Sequence, residues 1–169
     1  MRQNGRDTIL LVQPVDTTIG NGALVVAEQT ESTYSIENEL VDEQSKMGRI
    51  LAYGPNSESL ELTSYGVKGD PGQEAIINAI EQKKKLKVWE VDLIPNDEGT
   101  YDARFAYCLV ESAEKSSPSD NFIEVNSTLQ VEGQSVKGTL DELPDGITNA
   151  NSYEFEQPGE TGEAEAPAG

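Results

Sequence analysis

Residues 121–133, NFIEVNSTLQVEG, alternate between two kinds of position. Ile123, Val125, Ser127, Leu129 and Val131 fall on one side of an extended chain, and Glu124, Asn126, Thr128, Gln130 and Glu132 fall on the other. Successive strand side chains point to opposite faces, so the stretch predicts a strand with one buried and one wet face. Further strands are expected at TILLVQPV (8–15), within ALVVAEQTESTYSI (23–36), at LELTSYGV (60–67) and from Tyr101 to about Ser112. LKVWEVDLI (86–94) carries apolar residues on both faces and should be covered twice. Gln134–Leu140 would prolong the 121–133 strand beyond Gly133.

One helix is well signalled, over about 71–84. GDPGQEAIINAIEQKKK offers Asp70 as N-cap, Pro71 at the first helical position and Gln73 to complete a capping box. Ile76, Ile77, Ala79 and Ile80 form an apolar stripe at helical spacing. Lys83, Lys84 and Lys85 fall at the negative carboxyl end, where bases need no ligand to explain them. ENELVDEQSKMGRILAYGPNSES, residues 37–59, reads as a long inter-strand loop, several times the usual connection of about 4–6 residues. Many strands and a single helix define an all-β fold, a sandwich or partly closed barrel with one flanking α-helix. It would occupy residues 1–143, and the acidic, Gly/Pro/Glu-rich extension 144–169 is expected to be flexible.

Charge narrows the partners. The chain has 31 acids, 12 bases and a net charge of −19. Beyond the last base, Lys137, eight acids follow, yet residues 1–137 still hold 23 acids against the 12 bases. This is the opposite of a nucleic-acid footprint, and solubility alone would account for it. No apolar run approaches the roughly 18 residues of a membrane span, so no membrane binding is expected. The N-terminus MRQNGRD lacks the apolar core of a secretory signal.

Candidate chemistry is thin. Histidine is absent and Cys108 is the sole cysteine, which removes the commonest general base and metal ligand and any intrachain disulfide. Glu37 with Glu39, or Asp42 with Glu43, could be nominated as a glycosidase pair. Pairs of this kind arise by chance among 31 acids, and no nearby aromatic would hold a sugar. Trp89, the only tryptophan, sits mid-strand and reads as core. No catalytic residue, cofactor or metal is expected.

A resemblance supplies what composition does not. KMGRILAYGPNSESLELTSYGVKGDPGQEAIINAIEQKKKLKVWEVDL, residues 46–93, resembles the major tail tube protein family of long, non-contractile-tailed bacteriophages. The carrying elements are Gly48-Arg49, Tyr53-Gly54, Leu60 to Ser64, Gly69-Asp70-Pro71-Gly72 before the helix and Lys87 to Asp92 after it. A looser likeness runs from Asn4-Gly5-Arg6-Asp7 to about residue 140. The resemblance implies hexameric rings stacked into a tube, with each subunit lending strands to a barrel around the lumen. It also implies assembly around a tape-measure protein in the host bacterial cytoplasm, contact with tail terminator and tail-tip proteins, and passage of phage DNA without specific binding. On that basis Glu124, Asn126, Thr128, Gln130 and Glu132 are expected to face the lumen. Glu37, Glu39, Asp42, Glu43, Lys46 and Arg49 are expected in a ring-stacking loop. The tail after Leu143 aligns with nothing in the family. Two other classes are open to the residues alone. A monomeric β-sandwich binding or adhesin-like module would need more aromatics, and an acidic DNA mimic would need denser charge.

Overall fold

The structure is a computed structural model and describes residues 2–144, 147 and 155–159. A 3-10 turn at Gly5–Asp7 leads into ten strands and one helix. The elements are β1 (Thr8–Pro14), β2 (Leu24–Val25), β3 (Gln29–Asn38), β4 (Val41–Ser45), β5 (Gly48–Ala52), β6 (Asn56–Tyr65), α1 (Pro71–Gln82), β7 (Leu86–Asp92), β8 (Tyr101–Ser116), β9 (Glu124–Val131) and β10 (Val136–Leu140). One antiparallel sheet runs β2-β1-β7-β8-β9-β6-β3, with β10 also pairing β8, and β4-β5 form a separate hairpin.

The sixteen residues of β8 organise the fold. Ala103–Cys108 pair with β7 along one edge. Along the other edge, Tyr101–Phe105 pair with β10 and Cys108–Ser116 with β9. β9 and β10 therefore act as one interrupted strand, as the continuation past Gly133 predicts. The register shifts between Val110 and Ser112, and such a bulge bends a strand. The bend lets β8 belong to both walls of the sandwich. The sheet curls until β3 returns beside β1, where a side chain closes the gap. Gln29 accepts from the Leu10 N–H at 2.9 Å and donates to the Leu10 carbonyl at 2.7 Å, standing in for a strand pair.

The core lies inside the curl. Leu10, Val12, Val26, Leu60, Leu62, Leu86, Val88, Cys108 and Leu129 are buried together with Ala75, Ile76 and Ala79 of α1. The helix closes the core against β1, β2 and β8. Burying each Leu contributes about 1.5–3 kcal/mol. Asp70 caps the helix by accepting from Gln73 N–H at 2.9 Å. The reciprocal half of the expected capping box is not made. The Gln73 side chain is buried and instead accepts from Val67 N–H and donates to the Tyr65 and Ala27 carbonyls, so it ties the helix to the end of β6. The helix stops at Gln82 because Lys83 turns left-handed, with φ of 57°.

The segment 37–59 is not a loop. β3 runs on to Asn38, β4 and β5 occupy 41–45 and 48–52, and β6 begins at Asn56. The extension from 144 onward lies almost entirely outside the described residues.

Candidate assembly surface

Alternation in β9 holds at every position. Val125, Ser127 and Leu129 are buried, while Glu124, Asn126, Thr128 and Gln130 face outward. Register extends that outward face across four strands. Thr128 pairs with Glu61 and Glu61 with Thr33, and Asn126 pairs with Thr63 and Thr63 with Glu31. On the far side Thr128 meets Ser112 and Asn126 meets Glu114. The result is a polar wall, β3-β6-β9-β8, whose acids are Glu31, Glu37, Glu61, Glu111, Glu114 and Glu124. Of the two bases in these strands, Lys115 pairs with Val125 and Arg104 shares the parity of buried Ala106 and Cys108, so both belong to the opposite face. Thr63 Oγ1 donates to Asn126 Oδ1 at 2.7 Å and Gln130 Nε2 to Glu111 Oε2 at 2.7 Å, which holds the wall's short side chains in place.

Both lateral edges of this wall are open. β3 pairs only with β6, and β7 reaches no further along β8 than Cys108. Among the described residues no strand covers the outer edge of β3 or of Leu109–Ser116. Ten residues on one side and eight on the other thus offer unpaired backbone of similar length. An uncovered strand edge is a template for another strand.

The β4-β5 hairpin continues from the β3-β6 ladder. Asn38 braces its base, donating to the Gly54 carbonyl at 2.7 Å and accepting from Gly54 N–H at 2.9 Å. Gly54 is obligatory there, because a Cβ would fall 1.9 Å from the Glu39 carbonyl oxygen. Arg49 clasps Asp42 across the hairpin with two hydrogen bonds of 2.8 and 2.7 Å, and Asp42 sits below the ordinary carboxylate pKa because of them. Among the described residues nothing covers the arm. Met47, Ile50, Leu51 and Tyr53 are 96%, 55%, 52% and 86% exposed.

The residues expected at the lumen and in the stacking loop are distributed unevenly by this arrangement. Glu124, Asn126, Thr128 and Gln130 share one face. Glu132 lies beyond the end of β9 and forms an ion pair with Lys85 at 2.7 Å, so a base offsets its charge. Asp42, Glu43 and Arg49 are on the hairpin strands and Lys46 at its tip. Glu37 belongs to β3 and the polar wall, and Glu39 stands at the hairpin's root.

A buried polar cluster went unsignalled in the sequence. Glu58, 4% exposed, sits on the core side of β6. Its carboxylate accepts from the Tyr34 hydroxyl, from Ser135 N–H at 2.9 Å and from the Ser135 hydroxyl. Arg104 donates to Ser135 Oγ at 2.8 Å and lies over the Tyr34 ring, 4.4 Å from its centroid. The cluster joins β3, β6, β8 and the β9–β10 connection. Burial works to raise the Glu58 pKa, but the Ser135 and Tyr34 hydrogen bonds and the Arg104 charge outweigh it and hold it below the ordinary value. A cleft of about 640 Å³ opens at the β1–β3 seam, lined in part by Arg6, Thr8, Gln29 and Glu90. Among the described residues no three of His, Cys, Asp and Glu stand together as metal ligands, and no helix is long and apolar enough to cross a membrane.

Residues 2–137 match the phage tail tube protein family. The tail tube protein gp17.1* of Bacillus phage SPP1 is 42% identical over 163 residues, which is 95% of this chain. The chain spans 62% of that protein's length. The solved SPP1 tail tube superimposes with a TM-score of 0.81 at 37% identity, covering 95% of both chains. The tail of an empty gene transfer agent particle, solved with C6 symmetry, shares the fold at a TM-score of 0.62 and 18% identity, covering 80% of this chain and 98% of its own. The chain belongs to the phage tail tube protein family.

Proposed function

We propose that this chain is the structural subunit of a phage tail tube, assembling into hexameric rings that stack into the conduit for DNA ejection. The observation that carries the reading is the polar wall with two open edges. Pairing Leu109–Ser116 of one copy with β3 of the next continues the sheet and removes both edges, and six copies of four strands close a barrel of twenty-four. The sixfold symmetry follows the gene transfer agent tail, and tube formation follows the SPP1 tail.

Inside such a barrel the acids of β3, β6, β8 and β9 face the lumen. Like charge repels phosphate, and screening confines the effect to about 8–10 Å at physiological salt. DNA then passes along a wall that offers it no base to grip. The hairpin, with Asp42, Glu43, Lys46 and Arg49, bridges successive rings. A tape-measure protein fills the lumen during assembly, terminator and tail-tip proteins meet the two ends, and the subunit resides in the virion. No enzymatic step is part of this function.

Negative-stain images of the purified protein test the reading. Rings or tubes of uniform width are expected on concentration. Only monodisperse particles under every condition, with a monomer mass by light scattering, would instead support a solitary binding module.

A further inference from the structure

The strands give the polar wall two unlike ends. At one end β3 finishes and β6 begins, and the hairpin projects from there. At the other end β6 finishes at Tyr65, and Phe122 precedes β9. Identical subunits stacked in the same direction meet through opposite ends, as any head-to-tail contact requires. Whatever the hairpin touches in the next ring must therefore lie toward the Tyr65 end.

That end carries an aromatic pair. Phe122 is 72% exposed and meets Tyr65 edge to face, with centroids 5.6 Å apart. The pair is fixed rather than loose. Gly66 N–H donates to the Ile123 carbonyl at 2.7 Å, and a Cβ on Gly66 would come within 2.8 Å of the Ile123 side chain. Tyr65 N–H bonds the Glu28 carbonyl, and Val67 N–H bonds Gln73 of the helix. A rigid aromatic left in water is the usual form of an interface anchor.

The hairpin has matching needs. Val41 and Ala52 are cross-strand partners, and Ile50 lies on the same face, giving an aliphatic strip. Leu51 lies on the other face, opposite Asp42. A two-stranded hairpin is marginal alone, so it gains order when covered. Eight residues separate Asn38 from Lys46, and at about 3.3 Å each the arm reaches roughly 26 Å beyond its own wall. Asp42 is already paired with Arg49, which leaves Glu39 and Glu43 for the exposed bases Lys68 and Lys115 at the receiving end.

We propose that the Tyr65–Phe122 pair is the seat for the β4-β5 hairpin of a second copy in the next ring. The proposal rests on the stacked-ring reading. The test uses Phe122→Cys combined with Ile50→Cys or with Leu51→Cys, one for each hairpin face, in the full chain. Cys108 is fully buried and its thiol is pushed up to about 12, so it does not compete. Oxidation of assembled tubes should give disulfide-linked ladders for at least one pair, and none for Ile94→Cys with either hairpin cysteine. Phe122→Ser should keep the circular dichroism of the parent subunit and raise the concentration needed for tubes at least tenfold. If parent tubes form, yet neither pair crosslinks and Phe122→Ser assembles like the parent, the hairpin seats elsewhere and the proposal falls while the tube reading stands. If the parent forms neither rings nor tubes, both fall together.

Discussion

Replacing Glu58 by alanine removes the acceptor that four elements share. Hydrogen bonds to a charged group are worth roughly 1.5–3 kcal/mol each, so the three from Tyr34 and Ser135 amount to roughly 5–9 kcal/mol. Desolvating the carboxylate costs several kcal/mol and cancels much of that sum. Truncation is worse than the cancellation suggests. It leaves Arg104 and the Tyr34 and Ser135 donors facing a gap, and the expected loss is about 3–5 kcal/mol at pH 7. Against a total of about 5–15 kcal/mol the variant stays folded but marginal. The pH dependence has a definite sign. A depressed carboxylate pKa contributes stability that is fully present above the unfolded value near about 4.3 and is lost as pH falls through the folded value. The difference between parent and Glu58→Ala should therefore be largest at neutral pH and shrink below about pH 4. Urea unfolding of unassembled subunits, followed by Trp89 fluorescence at pH 7 and pH 3.5, measures it. Glu58→Gln, which keeps one acceptor oxygen, should fall between the two. A loss under about 1 kcal/mol at pH 7, or the same loss at both pH values, would refute the assignment of the cluster as a charge-based clamp.

Other expectations follow from packing and charge. Leu129→Ala, at a fully buried site, should destabilise by roughly 2–5 kcal/mol in the same unfolding experiment. Gly54→Ala should force the hairpin root apart, and faster tryptic cleavage at Lys46 and Arg49 in the free subunit would report it. Glu61→Lys with Glu124→Lys should leave the fold intact, because both side chains are on the polar wall, and slow DNA ejection most at low ionic strength; unchanged kinetics there would sink the lumen assignment. Cys108 should resist alkylation at pH 8 until urea unfolds the chain, since burial and the Glu58 charge push its thiol up to about 12.

Period and punctuation made much of the fold legible. The β9 alternation, the double-sided apolar run of β7 and the Asp70-Pro71 helix start each follow from local rules that tertiary context did not override. The hairpin was hidden because VDEQSKMGRI has no buried face. Every residue of β5 and nearly all of β4 is exposed, so no alternation marks the strands. Glu58 looked like one more acid among 31, since nothing in NSESLEL distinguishes the carboxylate that register turns inward. Parity groups Glu132 with the polar set, but parity does not extend past the end of a strand or foresee Lys85. The open edges of the wall depend on which strands pair, which periodicity does not specify.

Gln29 gives the barrel an unusual seam. Parting β1 from β3 there breaks the two hydrogen bonds that one amide makes to Leu10, about 1–3 kcal/mol net. Parting β3 from β6 would unzip a nine-position ladder. The subunit is thus stiff across its polar wall and compliant at one line, the β1–β3 seam beside the cleft. In the proposed tube, a long column of such units would flex by letting each seam yield a little while the bore keeps its diameter. Hydrogen exchange at the Leu10 amide would read out that breathing directly.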